Sequence, residues 1–391
     1  MSETSMNVNP GETQRVEFTG TAKEWFGIWI VNLLLSIVTL GIYSAWAKVR
    51  TKKYFYNNTY IAGRNFDYHA TGKQILIGRI IVIVGFSAFS LLSSVQYLNI
   101  VMFLALIVAL PWLIVKSLQF NARQSSFSNV RFNFTGKMGR AFVAYILLPL
   151  GLYIAVVGVG VGGGFMAGQS GSVALGVVAA LAVLVILLFA IPIVDRAVKR
   201  YVINHHALGK AAFSFDAGLS PFVKALSLAL AWIVLVLVVS GVVFGASFAA
   251  LGDMFASLDA GGAPTPGQLG MIGLFYLMFF VAFLPAGFIY QALIRNVMYD
   301  NTQLEGGHSI RSTVKVGSLM WIAISNAVVI VGTLGLMLPW AHVRMQAYLA
   351  SQTFVIPGAS LDNFIGEQQA AGNAIGDAYG DLEGVDFGVG I

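Results

Sequence analysis

Charged residues and cysteine are both scarce in this sequence of 391 residues. Charged side chains make up 10% of the chain and hydrophobic ones 57%, whereas about a quarter of a soluble domain is charged. This composition excludes an ordinary soluble domain and predicts a protein that crosses a membrane several times. Because the chain has no cysteine, disulfide bonds, thiolate nucleophiles and cysteine-ligated metal centres are excluded as well.

The common catalytic and nucleotide-binding motifs are also missing. The sequence has no His-Glu-x-x-His, no phosphate-binding loop that ends in Lys-Ser/Thr, and no Gly-x-Ser-x-Gly. His205 and His206 are adjacent and therefore point to different helix faces. The glycine-rich stretch 158–164 lacks the strand and acidic residue of a dinucleotide site. We therefore predict no catalytic residue, no metal site and no cofactor, and we do not expect an enzyme.

Long apolar runs are the main feature that the sequence does contain. A helix needs about 20 apolar residues to cross the core of a bilayer. Eight runs approach or exceed this length: 24–45, 74–95, 98–116, 141–162, 172–194, 219–250, 268–291 and 315–338. The predicted fold is an all-α polytopic membrane protein with about eight transmembrane helices. Basic juxtamembrane helices and short aromatic strand or turn segments are expected between them.

The distribution of charge predicts how the chain is threaded. Most Lys and Arg residues fall in four connections, at 47–73, 116–140, 195–224 and 295–315, and the positive-inside rule places such loops in the cytoplasm. With eight crossings, both chain ends would lie outside.

Three regions are expected along the chain. Residues 1–15 form a flexible lead, 16–355 a membrane domain, and 356–391 an acidic, glycine-rich tail of disordered type.

Related patterns recur along the membrane domain. Trp46–Asn57 has a degenerate copy at Trp340–Ser351, and Thr-Leu-Gly precedes each copy. We expect equivalent helices along the membrane, related by a two-fold axis in its plane. Aromatic pairs that suggest short strands recur as Phe66/Tyr68, Phe132/Phe134, Phe213/Phe215 and, within Val16–Gly20, Phe18. These degenerate repeats fit either a substrate pathway or a duplicated scaffold. If Phe18 shares a side with the other pairs, segments 24–45 and 315–338 re-enter the membrane instead of crossing it, and this alternative stays open.

Arginine, tyrosine and asparagine near the ends of the apolar runs are the candidate ligand-binding residues. Arg50, Tyr54 and Asn57 are spaced i, i+4 and i+7, which places them on one helix face. The full candidate set is Arg50, Tyr54, Asn57, Arg196, Arg200, Tyr201, Asn204, Arg295, Tyr299, Arg344 and Tyr348. These arginines either fix topology by reaching the headgroups or form an anion or lipid-headgroup site with their planar donors.

The run Phe18-Thr-Gly20, with Thr39-Leu-Gly-Ile-Tyr43-Ser-Ala-Trp46-Ala-Lys-Val-Arg50 after it, resembles the start of the YjgN family. This is a family of bacterial inner-membrane proteins defined by a domain of unknown function, DUF898. The resemblance covers residues 14–355. It implies a multi-pass protein of the inner membrane, and it implies no reaction, substrate or site residue.

Two function classes fit these patterns. The first is a transporter or channel-like protein for a small anionic or amphipathic ligand. The alternative is a non-transporting membrane scaffold or envelope partner whose basic helices bind anionic lipid headgroups. Expected partners are membrane lipids with anionic headgroups. Nucleic acid is not expected, because a net charge of +6 beside apolar spans is explained by topology and lipid contact.

Overall fold

The computed structural model describes residues 11–95, 97–259 and 265–376. Its helices are α1 Ala22–Val38, α2 Ser44–Asn57, α3 Gly72–Ser93, α4 Leu98–Arg123, α5 Met138–Ser170, α6 Val173–Ile203, α7 Ser220–Asp259, α8 Pro266–Asp300, α9 Val316–Gly332, α10 Leu338–Ser351 and α11 Leu361–Gly376. Its strands are β1 Gln14–Phe18, β2 Thr59–Ile61, β3 Arg64–Tyr68, β4 Ser125–Phe127, β5 Val130–Phe134, β6 His206–Leu208, β7 Ala211–Phe215, β8 Thr302–Leu304, β9 His308–Ser312 and β10 Thr353–Ile356.

The prediction of an all-α fold with about eight spans is wrong. In the described residues, six helices are long and apolar enough to cross a membrane, α3 to α8, and the strands form a closed ten-stranded barrel. Helices α1 and α9 have 17 residues each and are therefore about 25 Å long. The predicted spans 24–45 and 315–338 are instead halves of helical hairpins that turn back to the barrel.

The turns of these two hairpins have the same backbone geometry. Leu40 and Gly41 have φ of 49° and 90°, and Leu334 and Gly335 have φ of 50° and 90°. Glycine adopts this left-handed region without steric cost, and the two leucines are almost fully exposed. The Thr-Leu-Gly sequence therefore ends α1 and α9 and reverses the chain.

The barrel has a simple up-and-down order. Consecutive strands are antiparallel neighbours all the way round, and β1 closes the ring against β10. The tight turns of β2–β3, β4–β5, β6–β7 and β8–β9 lie at one end of the barrel, here called the turn rim. Helices α1 to α10 join the opposite end, the helix rim, where each packs against the next and α10 packs against α1. Both α2 and α10 run toward the barrel, so a rotation about its axis relates them, and not the predicted two-fold axis.

The inside of the barrel is packed with apolar side chains. Residues alternate between the two faces of a strand, and the middle residues of neighbouring strands form one layer. Phe132 stacks on both Phe66 and Phe213, with 6.4 Å between ring centroids in each case. Buried members of the same cluster include Val16, Ile61, Phe127, Val130 and Leu208. The first aromatic residue of each Phe-x-aromatic pair thus packs inside the barrel, whereas Tyr68, Phe134 and Phe215 pack against the helices.

The strand that follows each helix begins with a side chain that bonds back to that helix. In each case the acceptor is the carbonyl four residues earlier, at 2.6–2.8 Å. The five side chains are Thr59, Ser125, His206, Thr302 and Thr353. Terminal helix carbonyls lack intrahelical partners, so this bond satisfies one of them at every junction.

Helix α11 covers the turn rim. Leu361, Phe364 and Ile365 are buried in the barrel cluster, and the spacing i, i+3, i+4 puts them on one face. A disordered tail was expected over 356–391. Residues 361–376 form a helix instead, because this apolar stripe packs on the open end of the barrel. Residues 377–391 lie outside the described part.

Each of the 23 Lys and Arg residues lies in the barrel, next to it, in the short helices α2 and α10, or in the barrel-side half of a longer helix. The segments of sequence that join the two helices of each pair, 39–43, 94–97, 171–172, 260–265 and 333–337, contain none. The positive-inside rule therefore predicts that the barrel faces the cytoplasm. Strands β1 and β10 belong to this barrel, so the same rule predicts a cytoplasmic side for residues 14–18 and 353–356, and the eight-span count from which outside ends were predicted is wrong.

Single-cysteine labelling will test this orientation, because the chain has no native cysteine. A membrane-impermeant maleimide should label Gln169→Cys, at the far end of α5, in intact cells. Lys210→Cys, at the turn rim, should react only after the inner membrane is permeabilised. The opposite pattern would place the barrel in the periplasm.

His308 should make the stability of the barrel depend on pH. Its ring is buried at the turn rim, packs on Phe364 with 4.4 Å between centroids, and accepts a hydrogen bond from the Gly358 amide. Burial lowers the pKa of His308, so the unfolded chain binds a proton more readily and stability falls as pH drops below about 6.5.

Thermal unfolding of the solubilised protein between pH 7.5 and 5 will measure this effect. His308→Gln retains an acceptor for Gly358 but does not titrate, so its melting temperature should fall less on acidification. Burial also lowers the pKa of His206, so part of the slope should remain. An unchanged slope in His308→Gln would contradict the prediction.

Candidate functional site

Three of the candidate tyrosines tie together the two helices of a pair. Each hydroxyl bonds to the backbone of the residue just before the partner helix. Tyr54 donates to the Thr21 carbonyl at 2.8 Å, Tyr201 to the Lys137 carbonyl at 3.2 Å, and Tyr348 accepts from the Lys315 amide at 3.0 Å. In this structure these side chains hold the helix rim together.

The candidate asparagines form hydrogen bonds between helix ends and strands. The Asn204 amide pairs with Phe215, accepting from its N–H at 2.5 Å and donating to its carbonyl at 3.4 Å. Asn57, with its amide in the orientation that satisfies its neighbours, donates to the Phe66 carbonyl and the Asp67 carboxylate. Both asparagines are therefore engaged in the junction between helix and barrel.

The two arginines of the short hairpins have different partners. Arg50 donates to the Tyr43 hydroxyl at 3.0 Å. Arg344 donates to Ser325 at 2.7 Å and to Asn326 at 2.9 Å, and it lies over the Trp340 ring. Each guanidinium stays within its own hairpin, so the structure does not bring Arg50 and Arg344 together.

The remaining arginines also lie at separate places on the helix rim. Arg196 donates to the Ala217 carbonyl at 2.6 Å. Arg200 lies 4.0 Å from Asp216. Arg295 donates to Thr353 at 3.0 Å and stacks on Tyr299.

Tyr299, which lies four residues after Arg295, does not stand at the same distance from its strand as Tyr54 and Tyr348 do. Tyr54 and Tyr348 stand five residues before the first residue of the following strand, whereas Tyr299 stands three before Thr302. Tyr299 therefore does not hold the position that Tyr54 and Tyr348 hold, and it stacks on Arg295 instead.

A polar cluster that sequence reasoning did not select lies between α5, α6 and α8. The Asp195 carboxylate accepts a hydrogen bond from the Tyr290 hydroxyl at 2.7 Å and pairs with the Lys199 ammonium one helix turn away. The Asp195 and Lys199 side chains are about four-fifths buried. Asp195 is the sole acidic residue between positions 68 and 215, and this isolation within an apolar run was the available signal.

This cluster stands at the end of an apolar cleft of about 540 Å³. The lining residues besides Asp195 and Tyr290 are Pro149, Leu152, Tyr153, Val156, Leu187, Ala190, Ile191, Val194 and Val198. More than half of the surface of Tyr153 and of Ile191 is exposed, so the cleft is open along its length. Its volume lies in the range of small-molecule sites, and such sites commonly combine an apolar lining with a few polar groups.

The electrostatic environment of the cluster is positive. Arg196, Lys199 and Arg200 lie within two turns of α6 around the single carboxylate of Asp195. Lys199 neutralises that carboxylate and Arg200 lies 4.0 Å from Asp216, so the surplus positive charge beside the cluster is that of Arg196. An apolar tail with an anionic head fits this arrangement.

Two other features carry less chemistry. A groove of about 650 Å³ between α4 and α5 is lined by Leu104, Ala105, Val108, Ala109, Trp112 and Met138, and it offers no charged group. In the part of the chain that the structure describes, no three His, Asp or Glu side chains are grouped to hold a metal ion.

Gly136 will test whether Tyr201 is structural. A Cβ at Gly136 would lie 2.4 Å from the Phe134 ring and 2.5 Å from the Tyr201 hydroxyl. Gly136→Ala should destabilise the protein by roughly 1–3 kcal/mol through overpacking, seen as a lower melting temperature in detergent. Gly139→Ala is the matched control, since no atom lies within 4 Å of its new Cβ, and equal melting temperatures of the two variants would refute the packing.

Comparison with known proteins gives a family but no solved structural relative. The family model described as bacterial protein of unknown function (DUF898) matches residues 13–382. The inner membrane protein YjgN of Salmonella typhimurium strain LT2 is 30% identical over 356 residues, which cover 86% of this chain and 87% of that protein. The inner membrane protein YjgN of Escherichia coli O157:H7 is 34% identical over 137 residues, 34% of each chain. No solved structure gives a significant match.

These matches agree with the six apolar helices that are long enough to cross a membrane. The resemblance that the N-terminal motif suggested is therefore confirmed over most of the sequence. The chain belongs to the DUF898 family and is an inner-membrane protein.

Proposed function

We propose that this protein binds an amphipathic, anionic molecule of the bilayer in the cleft between α5, α6 and α8. The observation that carries the proposal is a single polar cluster, Asp195 with Lys199 and Tyr290, at the barrel end of an otherwise apolar cleft. The apolar walls suit an acyl chain. The cations on α6 suit a phosphate or carboxylate head.

The head, more than the tail, would select the ligand. Lipid tails are as apolar as the side chains that line the cleft, so moving a chain from bilayer to protein gains little. Charge-assisted hydrogen bonds from Lys or Arg are stronger and more directional than neutral ones. The cluster at Asp195 is thus the part of the cleft that can distinguish an anionic headgroup from a zwitterionic one.

The filled barrel supports entry from the helix side. Phe66, Phe132 and Phe213 stack across the barrel, and α11 covers the turn rim. A ligand would reach the cleft along the helices and leave by the same side. The ligand-handling role proposed here is therefore compatible with a transporter that presents its ligand at the membrane surface, and less so with an axial channel.

Lipid binding can be measured by native mass spectrometry of the solubilised protein titrated with phosphatidylglycerol or phosphatidylcholine. Wild type should bind phosphatidylglycerol more tightly. Lys199→Gln should weaken that binding roughly tenfold, because a hydrogen bond to a charged group contributes about 1.5–3 kcal/mol. Lys210→Gln, which removes the same charge at the turn rim, is the matched control.

The outcome separates the proposal from its alternative. Equal weakening in Lys199→Gln and Lys210→Gln, or none in either, would refute a site at this cleft. Anionic lipid that binds with undiminished affinity to both variants would favour the scaffold, in which the basic helix ends contact headgroups without a defined pocket. Tyr290→Phe removes the hydroxyl that positions Asp195 and leaves the ring. Weaker phosphatidylglycerol binding in this variant would place the headgroup beside Asp195.

A further inference from the structure

The contact between β1 and β10 is the one junction of the described barrel whose two strands are joined by neither a turn nor a helix pair. It has two paired positions, Gln14 with Val355 and Arg15 with Phe354. No turn joins these strands, since they lie at opposite ends of the described chain. A bond from the Gly11 amide to the Pro357 carbonyl, at 2.8 Å, and one from Arg15 to the Ser351 carbonyl, also at 2.8 Å, complete the contact.

The other junctions have either a tight turn or a longer ladder. The four hairpins have two paired positions each, and each pair of strands is joined by its turn. The junctions between hairpins have three or four paired positions, and a helix pair joins the two strands. The β1–β10 contact therefore combines a short ladder with the lack of any turn or helix pair joining its two strands.

Helix α11 crosses the turn rim directly after β10 and touches all four tight turns. The Asp362 carboxylate pairs with Arg64, and the Gln369 amide donates to the Ser128 carbonyl at 2.8 Å. Gln368 accepts from the Lys210 amide at 2.9 Å. Phe364 packs on His308. Helix α11 thus contacts all four hairpins, none of which contains β10.

We propose that α11 is a releasable strap that keeps the β1–β10 contact closed, and that the barrel opens at this contact when the strap detaches. Three apolar side chains and a few polar bonds attach α11. Its release exposes the layer that contains Val16 and Val355 while the four hairpins remain paired. The strap is a conformational device that is independent of the lipid cleft.

Cysteine reactivity at two matched positions will test the strap. Val16 on β1 and Leu208 on β6 lie in the same layer and the same buried cluster. Strand β6 is opposite β1 in the ten-strand order. Val16→Cys and Leu208→Cys are each made in the cysteine-free chain, alone and with Phe364→Ala, and their rates of reaction with a small maleimide are measured in membranes.

Weakening the strap should raise the reaction rate of Val16→Cys at least tenfold and leave that of Leu208→Cys unchanged. Equal increases at both positions mean that the whole barrel loosens, and no increase at either means that α11 does not hold the contact. Each of these results overturns the proposal. If Phe364→Ala does not accumulate, Asp362→Asn removes only the ion pair with Arg64 and allows the same comparison.

Discussion

The fold depends on satisfying the backbone where five helices pass into strands. At each junction a side chain two or three residues beyond the helix donates a hydrogen bond to one terminal carbonyl, as Thr59 does to Phe55 and Thr353 does to Leu349. Unpaired backbone groups are costly near lipid. Because the side chain that makes this bond is the first residue of the strand, the bond also fixes where the strand begins. The closed barrel then satisfies the strand backbone, because every strand has a neighbour on both sides and no edge is left unpaired. The helix pairs therefore leave the barrel from one rim and return to it.

This arrangement separates the two ends of the molecule chemically. In the six long helices every Lys and Arg lies at the barrel end, and the connections between the helices of each pair have none. The barrel interior is occupied by aromatic and aliphatic side chains, which argues against an axial route through the ring of helices. What remains is the space between helix pairs, and there Asp195, Lys199 and Tyr290 provide the polar end of an apolar cleft.

The sequence predicted the long helices and the aromatic strand segments, but not the closure of those segments into a barrel. Strands of three to five residues give a weak local signal, and their pairing depends on contacts across 40 or more residues of chain, such as Val16 with Ile61. The eighth and first spans were overpredicted because apolar composition does not reveal the turn at Leu40 and Gly41. Tyr54 and Asn57 could be placed on one helix face from their spacing, but only the fold shows that this face meets a neighbouring helix and strand. Asp195 was visible as an isolated acid, while its partner Tyr290 is 95 residues away.

The short hairpins give the ring of helices two unlike sides. Helices α9, α10, α1 and α2 are consecutive in the ring and have 14 or 17 residues, whereas α3 to α8 are long enough to cross the membrane. The β1–β10 contact lies within the short group. Strand β6 lies opposite it, and α6, which carries Asp195 and Lys199, leads directly into β6. The β1–β10 contact and the polar cleft therefore occupy opposite sides of the molecule, so movement at one need not disturb the geometry of the other.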